Sequence, residues 1–102
     1  MIVVRNVFQA KLGRAGELAR AMAEGMGRPP GEAEAPSAWR VLTDLSGPFD
    51  TVVLEVETES LAAWERARRE MFASPGFRAD SARGAELMVS GRNELWTIEA
   101  RG

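Results

Sequence analysis

The order in which the hydrophobic period changes along this chain restricts its fold more than any other feature. From Ile2 to Leu12, Ile2, Val4, Phe8 and Leu12 stand on even positions and Arg5, Gln9 and Lys11 on odd ones, the two-residue period of a strand. Past Gly13 the period lengthens. Ala15, Leu18, Ala19, Met22 and Met26 recur at three- and four-residue spacing, as on one face of a helix that Gly25 and Gly27 end. The two-residue period returns in Trp39, Val41, Thr43 and Leu45, and again in Val52, Leu54 and Val56, with Gly47-Pro48-Phe49-Asp50 between them as a hairpin connection. A second helical stretch then carries Leu61, Trp64, Arg68, Met71 and Phe72, with Thr58 or Ser60 as its cap. Ser74-Pro75 breaks it and begins a short helix toward Met88, and Ser90-Gly91 turns the chain into a last strand expected over Glu94 to Ala100.

Strand, helix, strand, strand, helix, strand with right-handed crossovers is the ferredoxin-like βαββαβ order of the α+β class. It predicts a four-stranded antiparallel sheet with its helices on one face. At 102 residues the chain suits one core, so residues 1–102 are read as a single domain. Arg28 to Pro36, rich in Pro, Gly and acid, reads as an exposed connection.

Each predicted strand has a greasier and a more mixed face, and the helices are expected on the greasier one. That assigns Ile2, Val4, Phe8, Trp39, Val41, Val52, Leu54, Val56, Trp96 and Ile98 to the core between sheet and helices. Val3, Arg5, Val7, Arg40, Leu42, Val53, Glu55, Leu95 and Thr97 fall on the other face, too apolar for plain solvation and too charged for an ordinary core. A homodimer with two such faces in contact would bury the Val and Leu side chains and let Arg5 or Arg40 pair with Glu55. Asn6 is the one polar residue in the apolar even series of the first strand. A buried amide needs a partner, which marks Asn6 as a candidate site residue.

Missing residue types narrow the chemistry. The chain has no Cys, no His and no Tyr, which removes disulfides, thiolate nucleophiles, imidazole bases and the usual zinc and haem ligands. Lys11 is the only lysine, and the acids Glu32 and Glu34 form no recognisable metal spacing, so no metal and no cofactor is expected. A net charge of -2 argues against nucleic acid as a partner, and the central strand stretch Thr51 to Glu57 lacks the exposed aromatics on which an RNA-binding sheet stacks bases. The apolar runs are far too short to span a membrane and no secretory signal is evident, so a cytoplasmic location is expected.

Several stretches resemble a known superfamily: Met1-Ile2-Val3-Val4-Arg5-Asn6, Gly47 to Glu57, Glu59-Ser60-Leu61-Ala62-Ala63-Trp64-Glu65, and Ser90-Gly91-Arg92-Asn93-Glu94-Leu95-Trp96. They are similar to the dimeric α/β-barrel superfamily, which includes NIPSNAP-like and antibiotic-biosynthesis monooxygenase-like proteins, with the NIPSNAP-like members nearer. The resemblance implies a homodimer through the sheet and a pocket between sheet and helices, formed in part by an Asn on the first strand and a Trp on the second helix. Here those positions are Asn6 and Trp64. Haem-degrading relatives also need a His, which this chain lacks. The expectation is therefore a protein that binds a small apolar or aromatic ligand at Asn6 and Trp64. A cofactor-independent monooxygenase-like enzyme and a non-catalytic dimerisation domain are the alternatives.

Overall fold

The computed structural model describes residues 1–27 and 38–102; the connection expected at Arg28 to Pro36 lies outside the described residues. The elements are β1 (Ile2–Ala10), α1 (Ala15–Gly27), β2 (Ala38–Thr43), β3 (Thr51–Thr58), α2 (Leu61–Ala73), α3 (Pro75–Leu87) and β4 (Met88–Thr97). The strands form one antiparallel sheet in the order β2-β3-β1-β4. This is the ferredoxin-like α+β arrangement that the periodicity predicts, with the second crossover split into two helices.

Local chemistry accounts for the breaks. Ser60 caps α2, its Oγ accepting from the Ala63 backbone N–H at 3.1 Å, and Ser74 caps α3 in the same way through Phe77 at 3.1 Å. Pro75 stands in the first turn of α3, where its missing N–H costs nothing, and the helix runs through the buried Gly84 to Leu87. The turn from β1 into α1 needs Gly13 at φ 79°, a conformation that side chains disfavour.

Helices pack on the side of the sheet that carries the even residues of β1. Ala10, Leu18 and Val52 are buried together there, with Phe8, Met22, Val41, Leu87 and Met88 packed around them. The best-packed part of the core thus lies beneath α1 and α3. Along α2 the packing is thinner: Ala63 is buried, whereas Leu61, Met71 and Phe72 stay exposed.

The expected last strand is corrected in both extent and phase. β4 starts at Met88, and its register sets Leu95 opposite Val4 and Trp96 opposite Val3. Leu95 and Thr97 therefore share the helix side with Val4 and Ile2, while Trp96 lies on the open side; the expected placement of these residues is reversed. Two features set this phase. The β1·β4 ladder slips between Gln9 and Ala10, where Gln9 pairs with Ser90 but Ala10 with Met88. Gly91 also lies directly beneath the Phe8 ring: a Cβ at position 91 would sit 2.7 Å from Phe8 Cδ1. With Gly91 on the helix side, strand alternation places Asn93 and Leu95 there and Trp96 opposite. Trp39, expected in the core, is on the helix side of edge strand β2 but remains 40% exposed.

Candidate functional site

On the helix side, cross-strand register builds three successive rows. Trp39, Val56, Val4 and Leu95 form the first; Val41, Leu54, Asn6 and Asn93 the second; Thr43, Val52, Phe8 and Gly91 the third. Asn6 thus sits at mid-sheet among aliphatic and aromatic neighbours, on the side the alternation predicts. It is half-buried, and its side-chain amide makes no hydrogen bond among the described residues while remaining reachable from outside. Such an amide has two donors and an acceptor to offer.

Trp64 is half-buried on α2, which rests against β3 and α3. The Arg68 guanidinium lies one turn further along, 5.5 Å from the Trp64 ring centroid and 4.8 Å from that of Phe72. Phe72 in turn meets Phe77 of α3 with centroids 5.1 Å apart. Among the described residues no hydrogen bond joins Asn6 to the Trp64 indole. Met22 packs on the core, and Met71 is exposed.

Sequence reasoning missed Asn93. It pairs directly with Asn6, so two amides stand side by side in the second row. The signal was present in Gly91-Arg92-Asn93, but only the phase of β4 shows which way Asn93 points.

The opposite side of the sheet carries a transverse line of charge. Arg40, Glu55, Arg5 and Glu94, one from each strand, lie in register. Arg40 Nε donates to Glu55 Oε1 at 2.6 Å, Arg5 Nε lies 2.9 Å from Glu55 Oε2, and Arg5 Nη1 lies 3.5 Å from Glu94 Oε1. The buried Arg5 N–H is not aligned on the Glu55 oxygen, so that contact is an ion pair without a well-formed hydrogen bond. Glu94 accepts from the Trp96 indole N–H at 3.3 Å and from Arg92 Nε at 3.2 Å. These hydrogen bonds, the indole's first, hold its carboxyl below the ordinary glutamate range, with the charges of Arg92 and Arg5 adding to them. Val3 and Trp96 flank this line on one side, and Val7, Val53 and Leu42 on the other.

Of the hollows on the described surface two stand out, and neither is lined by Asn6 or Trp64. One, of about 540 Å³, opens over Val7, Gln9, Leu42, Val53 and Arg92 at the end of the open side. The other lies between the β2–β3 connection and the start of α1, where the Asp50 carboxylate accepts from Gly13 and Ala15. Among the described residues no three His, Cys, Asp or Glu gather closely enough to hold a metal ion, and no helix is long and apolar enough to cross a membrane.

No family model matches the chain, and no curated protein does. Solved structures do. A NIPSNAP-domain protein of uncharacterised role from Burkholderia xenovorans superposes with a TM-score of 0.80 at 16% identity, over 98% of this chain and 96% of that one. A NIPSNAP family protein from Agrobacterium tumefaciens gives 0.78 at 17% identity, over 94% and 90%. SnoaB, a cofactor-independent oxygenase from Streptomyces nogalater, gives 0.72 at 18% identity, over 98% and 94%. With likeness of this extent over nearly the full length of both chains, the protein has the ferredoxin-like α+β fold found in NIPSNAP-domain proteins and in SnoaB.

Proposed function

We propose that this protein works as a symmetric dimer, joined through the open side of its sheet, and binds a small apolar or aromatic ligand between sheet and helices at Asn6 and Trp64. The observation that carries the ligand reading is the Asn6 amide. The amide is bonded by none of the described residues, is reachable from outside and stands in a largely apolar row, so its donors and acceptor are free to meet a ligand. A ligand with its own polar group can bond it in place of water while its apolar part lies against Leu54, Val4 and Phe8.

The dimer reading rests on the open side. Trp96 is 56% exposed there and Leu42 37%, beside Val3 and the more enclosed Val7. The charge line runs plus, minus, plus, minus. A two-fold axis parallel to the strands reverses its order in the second copy, so that β2 faces the partner's β4 and β1 the partner's β3. Opposite charges then meet along the whole line. An axis along the line would set each charge against its own copy.

A second reading, an oxygenase-like enzyme without cofactor, rests on likeness of fold to SnoaB and similar proteins. The test of the ligand reading is a thermal-shift screen of small aromatic molecules against the wild type and Asn6→Leu. The variant should fold with equal or greater stability and lose the binders. If Asn6→Leu keeps every binder, or if no aromatic molecule shifts the wild type, the ligand reading falls and the dimerisation role stands alone. Light scattering at micromolar concentration should give twice 11.1 kDa, and a mass of 11.1 kDa would exclude the dimer.

A further inference from the structure

The helix side of the sheet is sorted by charge in a way that restricts what can bind there. No strand contributes a charged residue to that side; Arg5, Glu55, Glu94 and Arg92 all project from the other. An ionised ligand lying against this side would meet no counter-charge on the sheet, the nearest cation the site offers being Arg68 over Trp64 on α2, whereas a neutral one needs none. What the sheet does offer at its middle is a pair of neutral amides. Asn6 and Asn93 are direct cross-strand partners, so their Cβ atoms stand about 5 Å apart, and neither side chain is hydrogen-bonded among the described residues.

Apolar residues stand in the rows on either side of the pair. On one, the Phe8 ring lies across Gly91, so close that a Cβ at position 91 would sit 2.7 Å from Cδ1. On the other, Leu95 is paired with the buried Val4 and leaves 41% of its own surface uncovered. Resting on the proposal that ligand binds beside Asn6, we infer that Asn93 is a second ligand-binding residue. The paired amides would select a flat apolar molecule bearing an uncharged carbonyl, which one amide N–H or both can bind.

The experiment measures binding of three probes to the full chain by calorimetry: 2-acetylnaphthalene, its carbonyl-free analogue 2-ethylnaphthalene, and the anion 2-naphthoate. The wild type is expected to bind the ketone about fivefold to tenfold more tightly than ethylnaphthalene, the range of one net hydrogen bond, and the anion most weakly. Asn93→Leu should abolish the preference for the ketone while ethylnaphthalene binds as well or better. Asn93→Asp, which keeps the shape but has no N–H to donate, should also abolish it. Because Asn93 is exposed, both variants should fold, which circular dichroism checks. If Asn93→Leu and Asn93→Asp retain the ketone preference while Asn6→Leu loses it, the role of Asn93 is overturned and ligand binding at Asn6 survives. If wild type prefers naphthoate, the neutral-ligand argument is overturned. If no probe binds, both this inference and the reading beneath it fail.

Discussion

The Asp50 carboxylate and the Gly13 backbone N–H meet at 2.9 Å, tying the connection between β2 and β3 to the entry of α1. The second carboxylate oxygen accepts from Ala15 N at 3.3 Å, so one side chain 35 residues downstream satisfies helix-start donors that local sequence leaves open. Asp50 itself adopts φ 59°, and its carbonyl accepts from Ala10 N at 2.9 Å. The residue therefore holds three segments at once. Asp50→Ala should cost about 1–3 kcal/mol in urea unfolding, combining a lost cap with a side chain less tolerant of positive φ. Asp50→Asn, which tolerates that conformation and keeps an acceptor, should cost clearly less; equal costs would show that the hydrogen bonds are immaterial.

Gly91 and Phe8 test the phase of β4. Gly91→Ala places a methyl group against the Phe8 ring and should destabilise by about 1–3 kcal/mol. Combined with Phe8→Leu, much of that penalty should vanish, giving a favourable coupling energy in a double-mutant cycle. Strict additivity would mean that the two side chains do not meet.

Around Glu55 the two arginines should prove unequal. Glu55 is the enclosed member, 12% exposed at its side chain, against 37% for Arg5 and 69% for Arg40. Glu55→Gln should cost about 1–2 kcal/mol, since it strips the enclosed Arg5 Nε of its counter-charge. Arg40→Ala should stay within about 0.5 kcal/mol in a monomeric sample, because water screens that pair. Unfolding at fixed protein concentration gives both values, and a larger loss from Arg40→Ala would reverse the ranking.

Glu94 should leave a signature in acid. Its carboxyl is depressed in the folded protein by the Trp96 N–H and by Arg92, so the stabilisation it contributes is present above the unfolded-state pKa and is lost as pH falls through the folded one. The Trp96 indole N–H resonance should accordingly shift with a midpoint below the ordinary glutamate range, and Glu94→Gln should remove that titration. A midpoint at or above the ordinary range would show that the indole contact does not form.

Much of this molecule is legible from local pattern. The alternation of periods suffices for the element order, Thr58 or Ser60 and then Ser74 announce the helices that follow, and the even series of β1 places Asn6 on the helix side. Each of these depends on residues a few positions apart, where sequence spacing and physical spacing are the same thing. Contacts made between strands follow a different logic. The phase of β4 hung on one slip beside Ala10 and on the fit of Gly91 under Phe8, and a shift of one residue exchanges every side chain between the two faces. That shift brought Leu95 to the helices, turned Trp96 to the open side beside Glu94, and set Asn93 next to Asn6. In the same way, the pairing of Arg5, Arg40 or both with Glu55 was open in the sequence, and Asp50 there was only a turn residue. Tertiary structure decided these because cross-strand register is a relation between segments tens of residues apart, set by which faces can be buried together rather than by any local preference.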